Sequence, residues 1–281
     1  MSFDLAFIGY ENRFTNTLST LSAVGVNADF NINSLQNWQA WDYVLFDIGS
    51  NSITIDCGSA VNVDYFSIAS HELFTTNCDN IILKGSSVSD FSTSTTLMTL
   101  NNVSAGVYDG SYALDTSTAI ASQTVSDDYV VALKLDTANF RYFRLSFDCT
   151  AAIKIGVIAL GERLDFELGF YRDNMPPMLN EDTIVTNNKS ESGIYLGRSL
   201  VRTGIKQQTI NIDKLSHAWI YNEWLPFKRA AEIYPFIYSW GNTPLYNNQL
   251  CYQTKFNDIK LQDRIGTGHG SVGVSFEGVI K

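Results

Sequence analysis

From Ser52 onward the chain alternates apolar and polar residues with period two, and no long helical stripe competes with that pattern until residue 216. Ile53, Ile55 and Cys57 alternate with Thr54 and Asp56; after Gly58-Ser59 come Val61, Val63 and Tyr65, then Phe66 and Ile68. Such alternation puts one set of side chains on a core and the other in water, which is the pattern of half-buried sheet. Ile81, Ile82 and Leu83 predict a further strand before Gly85-Ser86-Ser87. Strands resume over 129–135, 141–147 and 153–160, separated by turn chemistry at 136–139 and 148–151. Residues 88–128, rich in Ser, Thr, Asn and Gly, predict loops joining short or irregular strands. Eight or so short strands without a long helix predict an all-β sandwich.

The 281 residues suffice for two modest domains, each with a core of its own. Charge divides the chain: residues 1–164 hold 7 Lys and Arg against 17 Asp and Glu, and residues 165–281 hold 12 against 12. The acidic part repels phosphates and anionic lipid, so neither nucleic acid nor membrane insertion is expected. No cationic stretch followed by an apolar block opens the chain and no long apolar run follows, so neither a signal peptide nor a membrane span is expected. The cysteines at 57, 78, 149 and 251 are widely spaced, without zinc-ligand spacing, and read as free structural thiols.

Four stretches carry a resemblance over about residues 38–164: "SITIDCGSAVNVDYFSIASHEL", "NIILKGSSVSDFS", "FRYFRLSFD" and "IKIGVIALGERL". In that order they resemble the discoidin, or coagulation-factor C-type, galactose-binding-like jelly roll. "SHEL", where related phage sequences tend to read "HNL", is similar to the version embedded in tail and baseplate proteins of tailed bacteriophages. The resemblance implies a discoidin-like sandwich over 1–164 whose loops meet ligands.

"DFELGFYRDNMPPML", 165–179, holds the adjacent proline pair and reads as a linker. Beyond it, a strand at 183–187, a long strand pair over 193–212, a helix and further strands predict a small α+β domain over 180–281. Ser216 is the expected N-cap; Trp219, Ile220, Trp224, Phe227 and Ala231 share one face at helical spacing, and Pro226 should kink the helix or begin a second turn. "LGRSLVRTG", "PFIYSW" and "VSFEG" resemble small phage tail-tip proteins, whose ring-forming domains are similar to the tail-tube fold. "GTGHGSVG", 266–273, reads as a hairpin loop, because too few residues follow it for a phosphate cradle.

Chemistry is sparse. No GxSxG elbow accompanies the three histidines, and His71 and Glu72, adjacent on a strand end, point to opposite sides. No Asp-x-Asp-x-Asp-Gly loop is present, so no metal and no cofactor are expected, calcium in the sandwich loops being left open. Catalysis is not expected. The candidate ligand-binding residues are Trp38, Trp41, His71, Phe74 and Asn77, with His71 to Asn80 read as a solvent-facing loop. Trp219, Tyr221 and Trp224 are the candidate assembly residues, and the C-terminal domain is expected to hold the oligomer contacts, so that the sandwich alone would stay monomeric. The resulting expectation is a virion structural protein of a phage tail tip or baseplate, made in the host cytoplasm. Its expected partners are copies of itself in a ring, other phage tail proteins and a host-surface glycan. The alternative is a lectin-like carbohydrate-binding module outside a virion.

Overall fold

The computed structural model describes residues 6–15, 18–73, 78–102, 111–115, 120–124, 130–167, 181–205, 207–239, 248–257, 259–262 and 268–279. Eleven strands come first: β1 (Phe7–Gly9), β2 (Thr20–Val24), β3 (Val44–Phe46), β4 (Gly49–His71), β5 (Asp79–Ser86), β6 (Thr95–Asn102), β7 (Ser111–Asp115), β8 (Ile120–Thr124), β9 (Val131–Cys149), β10 (Ile153–Gly161) and β11 (Arg163–Asp165). Seven follow: β12 (Glu181–Lys189), β13 (Tyr195–Ile205), β14 (Gln208–Ser216), β15 (Phe236–Ser239), β16 (Asn248–Phe256), β17 (Lys260–Gln262) and β18 (His269–Val279). The chain is mainly β, as the alternation requires.

One nine-stranded sheet runs β3-β10-β4-β9-β5-β6-β7-β8, with β2 also on β4. Its two long strands bend. The β4–β9 register shifts between Asp56 and Val61 and again between Val63 and Tyr65, and Gly58 at the first shift has φ +76°, a conformation that favours glycine. On either side of the bend, Ile53 and Ile55 from one half and Phe66 and Ile68 from the other enter a single core with Phe143, Leu145, Ile81, Leu83 and Ile158. The folded sheet is thus sandwich-like.

Two of the four thiols do not stay free. Cys78, just before β5, and Cys149, ending β9, form a disulfide across a separation of 71 residues, while Cys57 and Cys251 remain as buried thiols. Linear spacing could not reveal this pair, because antiparallel pairing of β5 with β9 is what brings the two Cα atoms to 4.3 Å. Burial pushes the Cys57 thiol up to about 11.

The second sheet runs β11-β1-β15-β16-β18-β14, with β17 on β18. Its β1 and β11 come from either end of residues 1–165, so the division expected at residue 164 passes through a sheet. Phe166, read as the start of a linker, is buried in this sheet's core; 168–180 lie outside the described residues. The strand pair expected over 193–212 also resolves differently: β13 pairs with β12 in a separate hairpin, and β14 pairs with β18. β17 and β18 pair antiparallel, Gln262 with His269, but His269 to Gly273, expected in the hairpin loop, belong to β18, and 263–267 lie outside the described residues.

The helix stands where sequence places it. Ser216 caps it by accepting from the Trp219 backbone N–H at 3.2 Å, and Ile220, Trp224, Phe227 and Ala231 are all buried against the second sheet. A first turn, α1 (His217–Trp219), widens into a π turn (Ile220–Trp224) before α2 (Leu225–Ala231). The Leu225 N–H reaches back to the Ile220 carbonyl, and Pro226 falls in the first turn of α2. The wide turn accommodates a proline that has no N–H to give and would crowd the carbonyl four residues back.

A third cluster joins the two sheets. Phe7, Ile237 and Leu250 of the second sheet pack on Tyr65, Ala69, Val130, Ala132, Val157 and Ala159 of the first, with Trp38 among them. The C-terminal part of β4 is therefore buried on both faces: Phe66 and Ile68 face the sandwich core, Tyr65 and Ala69 the junction. Polar ties fasten it. The Tyr65 hydroxyl donates to the Glu11 carbonyl, and Asn12 Nδ2 donates to the Ile158 carbonyl at 3.0 Å. Arg163 spans the strands, donating to the Asp64 carbonyl and, at 3.0 Å, to the Leu135 carbonyl.

Candidate functional site

At one end of the sandwich, loop 37–43 lies against the end of β4 and the start of β10. It is built from short-range hydrogen bonds. After the 3-10 turn Ile32–Gln36, Asn37 Oδ1 accepts from the Gln39 N–H at 2.8 Å, and its Nδ2 donates to Asp42 Oδ2 at 2.6 Å. The Asp42 N–H closes the turn on the Gln39 carbonyl at 3.1 Å. Long-range ties hold the loop in place: Ser70 Oγ donates to the Ala40 carbonyl at 2.7 Å, and the Tyr252 hydroxyl donates to the Trp38 carbonyl at 3.2 Å. Gly156 lets the loop approach, since a Cβ there would lie 2.7 Å from the Ala40 oxygen.

This braced loop separates the two candidate tryptophans. Trp41 is 76 % exposed, and Trp38, three residues earlier, is 6 % exposed in the junction between the sheets. Trp38 is therefore a packing residue and not a ligand contact. His71 is a second correction: it ends β4 opposite Ile155, fully buried, with Nδ1 accepting from the Leu73 N–H at 3.4 Å. Ser70 before it has φ +52°, a left-handed kink that ends the regular strand. Glu72, the next residue, is partly exposed. Phe74 and Asn77 lie outside the described residues.

Beside the loop is a group that the sequence does not bring together. Glu72 Oε1 stands 3.6 Å from Lys154 Nζ, the Lys154 N–H donates to Glu72 Oε2 at 3.2 Å, and the same ammonium sits 5.1 Å from the centre of the Tyr43 ring. Phe30 backs Tyr43 at 5.6 Å between ring centres. The charged groups are partly exposed, so their mutual attraction is screened. Two residues after Trp41, Tyr43 thus brings a phenol ring to a carboxylate and an ammonium. Among the described residues no cluster of three His, Cys, Asp or Glu side chains is arranged to hold a metal ion.

The candidate assembly residues divide. Trp224 is 1 % exposed, edge-on to Phe227 and Phe256, and belongs to the core. Trp219 is half-buried, donating from Nε1 to the Asp165 carbonyl at 3.1 Å. Tyr221, 56 % exposed, is the one that faces outward.

No protein-family model matches the chain, and no curated protein matches it. Solved structures do. A Ruminococcus gnavus GH29 fucosidase mutant in complex with fucose is similar at 13 % identity and TM-score 0.40, over 56 % of this chain and 27 % of that one. The module CpGH89CBM32-6 produced by Clostridium perfringens is similar at 14 % identity and TM-score 0.37, over 54 % of this chain and 99 % of that one. CpGH89CBM32-5 from the same organism, in complex with GalNAc-β-1,3-galactose, matches at 9 % identity and TM-score 0.38, over 54 % and 100 %. This chain spans only about a quarter of the fucosidase, and each likeness covers about half of this chain. The chemistry of the site has to come from its own residues.

Proposed function

We propose that the protein is a non-enzymatic glycan-binding protein whose discoidin-like sandwich takes a saccharide at the Trp41 end. One observation carries this reading: a tryptophan three-quarters exposed on a loop with no freedom to fold it away. An indole left in water forgoes about 1.5–3 kcal/mol of burial, and a fixed aromatic platform loses little entropy when a ligand covers it. Lys154 supplies a donor for ring hydroxyls, with Tyr43 as a second apolar surface. The carbohydrate modules among the similar structures fit this reading in kind, and the Cys78–Cys149 disulfide suits work in an oxidising environment. The test is a glycan array followed by titration of the full chain and of Trp41→Ala. Binding that falls at least tenfold in the variant, with a blue shift of tryptophan emission on ligand addition in the parent, supports the site. Equal binding by both proteins sinks it.

A second reading, a structural subunit of a phage tail tip with copies of itself and other tail proteins as partners, is favoured by one feature. Hairpin β12–β13 pairs with no other strand among the described residues, and its turn exposes Ile194, Tyr195 and Leu196. Exposed apolar tips of this kind mark contact surfaces. Light scattering tests it: a mass of one chain at every concentration removes the assembly role.

A further inference from the structure

The face of the second sheet that packs on the sandwich does not stay apolar along its width. Near the junction it carries Phe7, Ile237 and Leu250. Pairing register continues the same face onto Lys255 opposite Ser275, Thr209 opposite Ser275, and Asn211 opposite Gly273. Here it is polar and forms a hollow of about 520 Å³, lined by Asn211, Asp213, Lys255, Phe256, Asn257 and Ser271. That volume falls within the roughly 300–1,000 Å³ typical of small-molecule sites.

The hollow has a built floor. Asn257 Nδ2 donates to Asn211 Oδ1 at 2.8 Å, and the pair lies across the bare backbone of Gly273. A side chain at 273 would put its Cβ 2.6 Å from Asn257 Nδ2 and break the arrangement, so the glycine here serves close approach. The Asn257 backbone N–H donates to the Gly273 carbonyl at 2.9 Å and fixes the second amide. The bond between the amides uses one Asn257 hydrogen and one lone pair of Asn211 Oδ1, leaving both Asn211 amide hydrogens, the second Asn257 hydrogen, the Asn257 oxygen and the other Asn211 lone pair as the pair's remaining groups. Ser271 adds a hydroxyl, and half-buried Phe256 an apolar edge.

We propose that this hollow is a second ligand site, for a neutral polyhydroxylated molecule of mono- or disaccharide size. Charge decides the class. A phosphate or sulfate site would need an excess of cationic groups and a metal site an excess of carboxylates. This one has a single Asp213 and a single Lys255 among neutral amides and a hydroxyl. Fixed donors and acceptors in equal measure match hydroxyl groups, each of which gives one proton and accepts others. The site stands on different strands from the Trp41 loop and does not depend on it.

The test uses the full chain labelled with nitrogen-15, following the side-chain amide signals of Asn211 and Asn257 during titration with galactose, N-acetylglucosamine and lactose into the tens of millimolar. Expected is a saturable shift of both signals, unchanged in Trp41→Ala. In Asn211→Ala, an exposed substitution, the remaining Asn257 signal should report an affinity about tenfold weaker. Tryptophan emission reports the Trp41 end separately, so failure of one site is distinguishable from failure of the other. No shift with any saccharide overturns the proposal, as does a shift produced by inorganic phosphate or calcium chloride alone. A shift that vanishes in Trp41→Ala would overturn it too, because it would assign the response to the other end of the molecule.

Discussion

Trp38 and Trp41 belong to one loop and yet to two regions with opposite physics. Around Trp38 the two sheets close on each other, and the indole fills space between Tyr65, Val157 and Ile237. Around Trp41 the same loop turns outward, and the same hydrogen bonds that hold the loop keep the second indole in solvent. The difference teaches that residue type does not distinguish a packing tryptophan from a binding one; what lies beyond the loop does.

The hardest blow to the junction is to remove one side of it. A fragment of residues 1–164 would bare Tyr65, Ala69, Val157 and Ala159 and leave β1 without β15. It is expected to aggregate or self-associate in light scattering, where a well-behaved monomeric fragment would show that the junction contributes little. This reverses the expectation of a soluble monomeric sandwich, because that expectation had no knowledge of the apolar face behind it.

Next in size is the tryptophan pair itself. Trp38→Ala opens a cavity between the sheets and should destabilise the full chain by about 3–5 kcal/mol in urea unfolding. Trp41→Ala should change the midpoint by no more than about 0.5 kcal/mol, since it removes an exposed side chain. Equal losses in the two variants would erase the contrast between the regions.

The smallest effect is a difference in pH response between the junction and the part of the nine-stranded sheet away from it. Burial raises the Glu11 carboxyl above its ordinary value against the opposing pull of Arg13, and burial likewise raises Asp64. Away from the junction, on β4 and β9, the hydrogen bond from Arg141 lowers Asp56, and bonds from Ser50 and Asn80 lower Asp148. A carboxyl raised on folding binds its proton more tightly in the folded state. Its contribution therefore grows as pH falls through the folded value and is complete below the unfolded value of about 4. A lowered carboxyl contributes above that value and loses its contribution as pH falls through the folded one. Stability should thus rise modestly as pH falls from neutrality toward the ordinary carboxyl range and fall again below about 4. The urea midpoint measured across that range checks it, and a monotonic fall from neutrality would show that the junction carboxyls are not buried as described.

The strands were legible because alternation is local. Ile53 to Cys57, Ile81 to Leu83 and Ile153 to Leu160 carry their own period and appear as β4, β5 and β10. The helix was legible for the same reason, its Ile220, Trp224, Phe227 and Ala231 stripe being written within a dozen residues. The unbroken burial from Tyr65 to Ala69 departs from the half-buried sheet that the alternation predicts, because the second sheet covers the other face. The site was less legible. Trp41 was among the candidates, but Glu72 and Lys154 were not joined, because 82 residues separate them and only the β4–β10 pairing sets them side by side.

By itself the sequence determined what is strongly periodic: the strands of the alternating runs from Ser52 onward, and where the helix starts and which of its faces is apolar, but not the short β1, β2 and β3. Tertiary structure alone decided which strand lies beside which. It took β1 away from the sandwich and placed it between β11 and β15, joined Cys78 to Cys149, turned Trp38 and His71 inward, and left Trp41 in water. The reason is physical. Backbone periodicity is a property of a few adjacent residues, whereas pairing and burial are settled by the free energy of the whole chain, in which any apolar face accepts any partner that covers it.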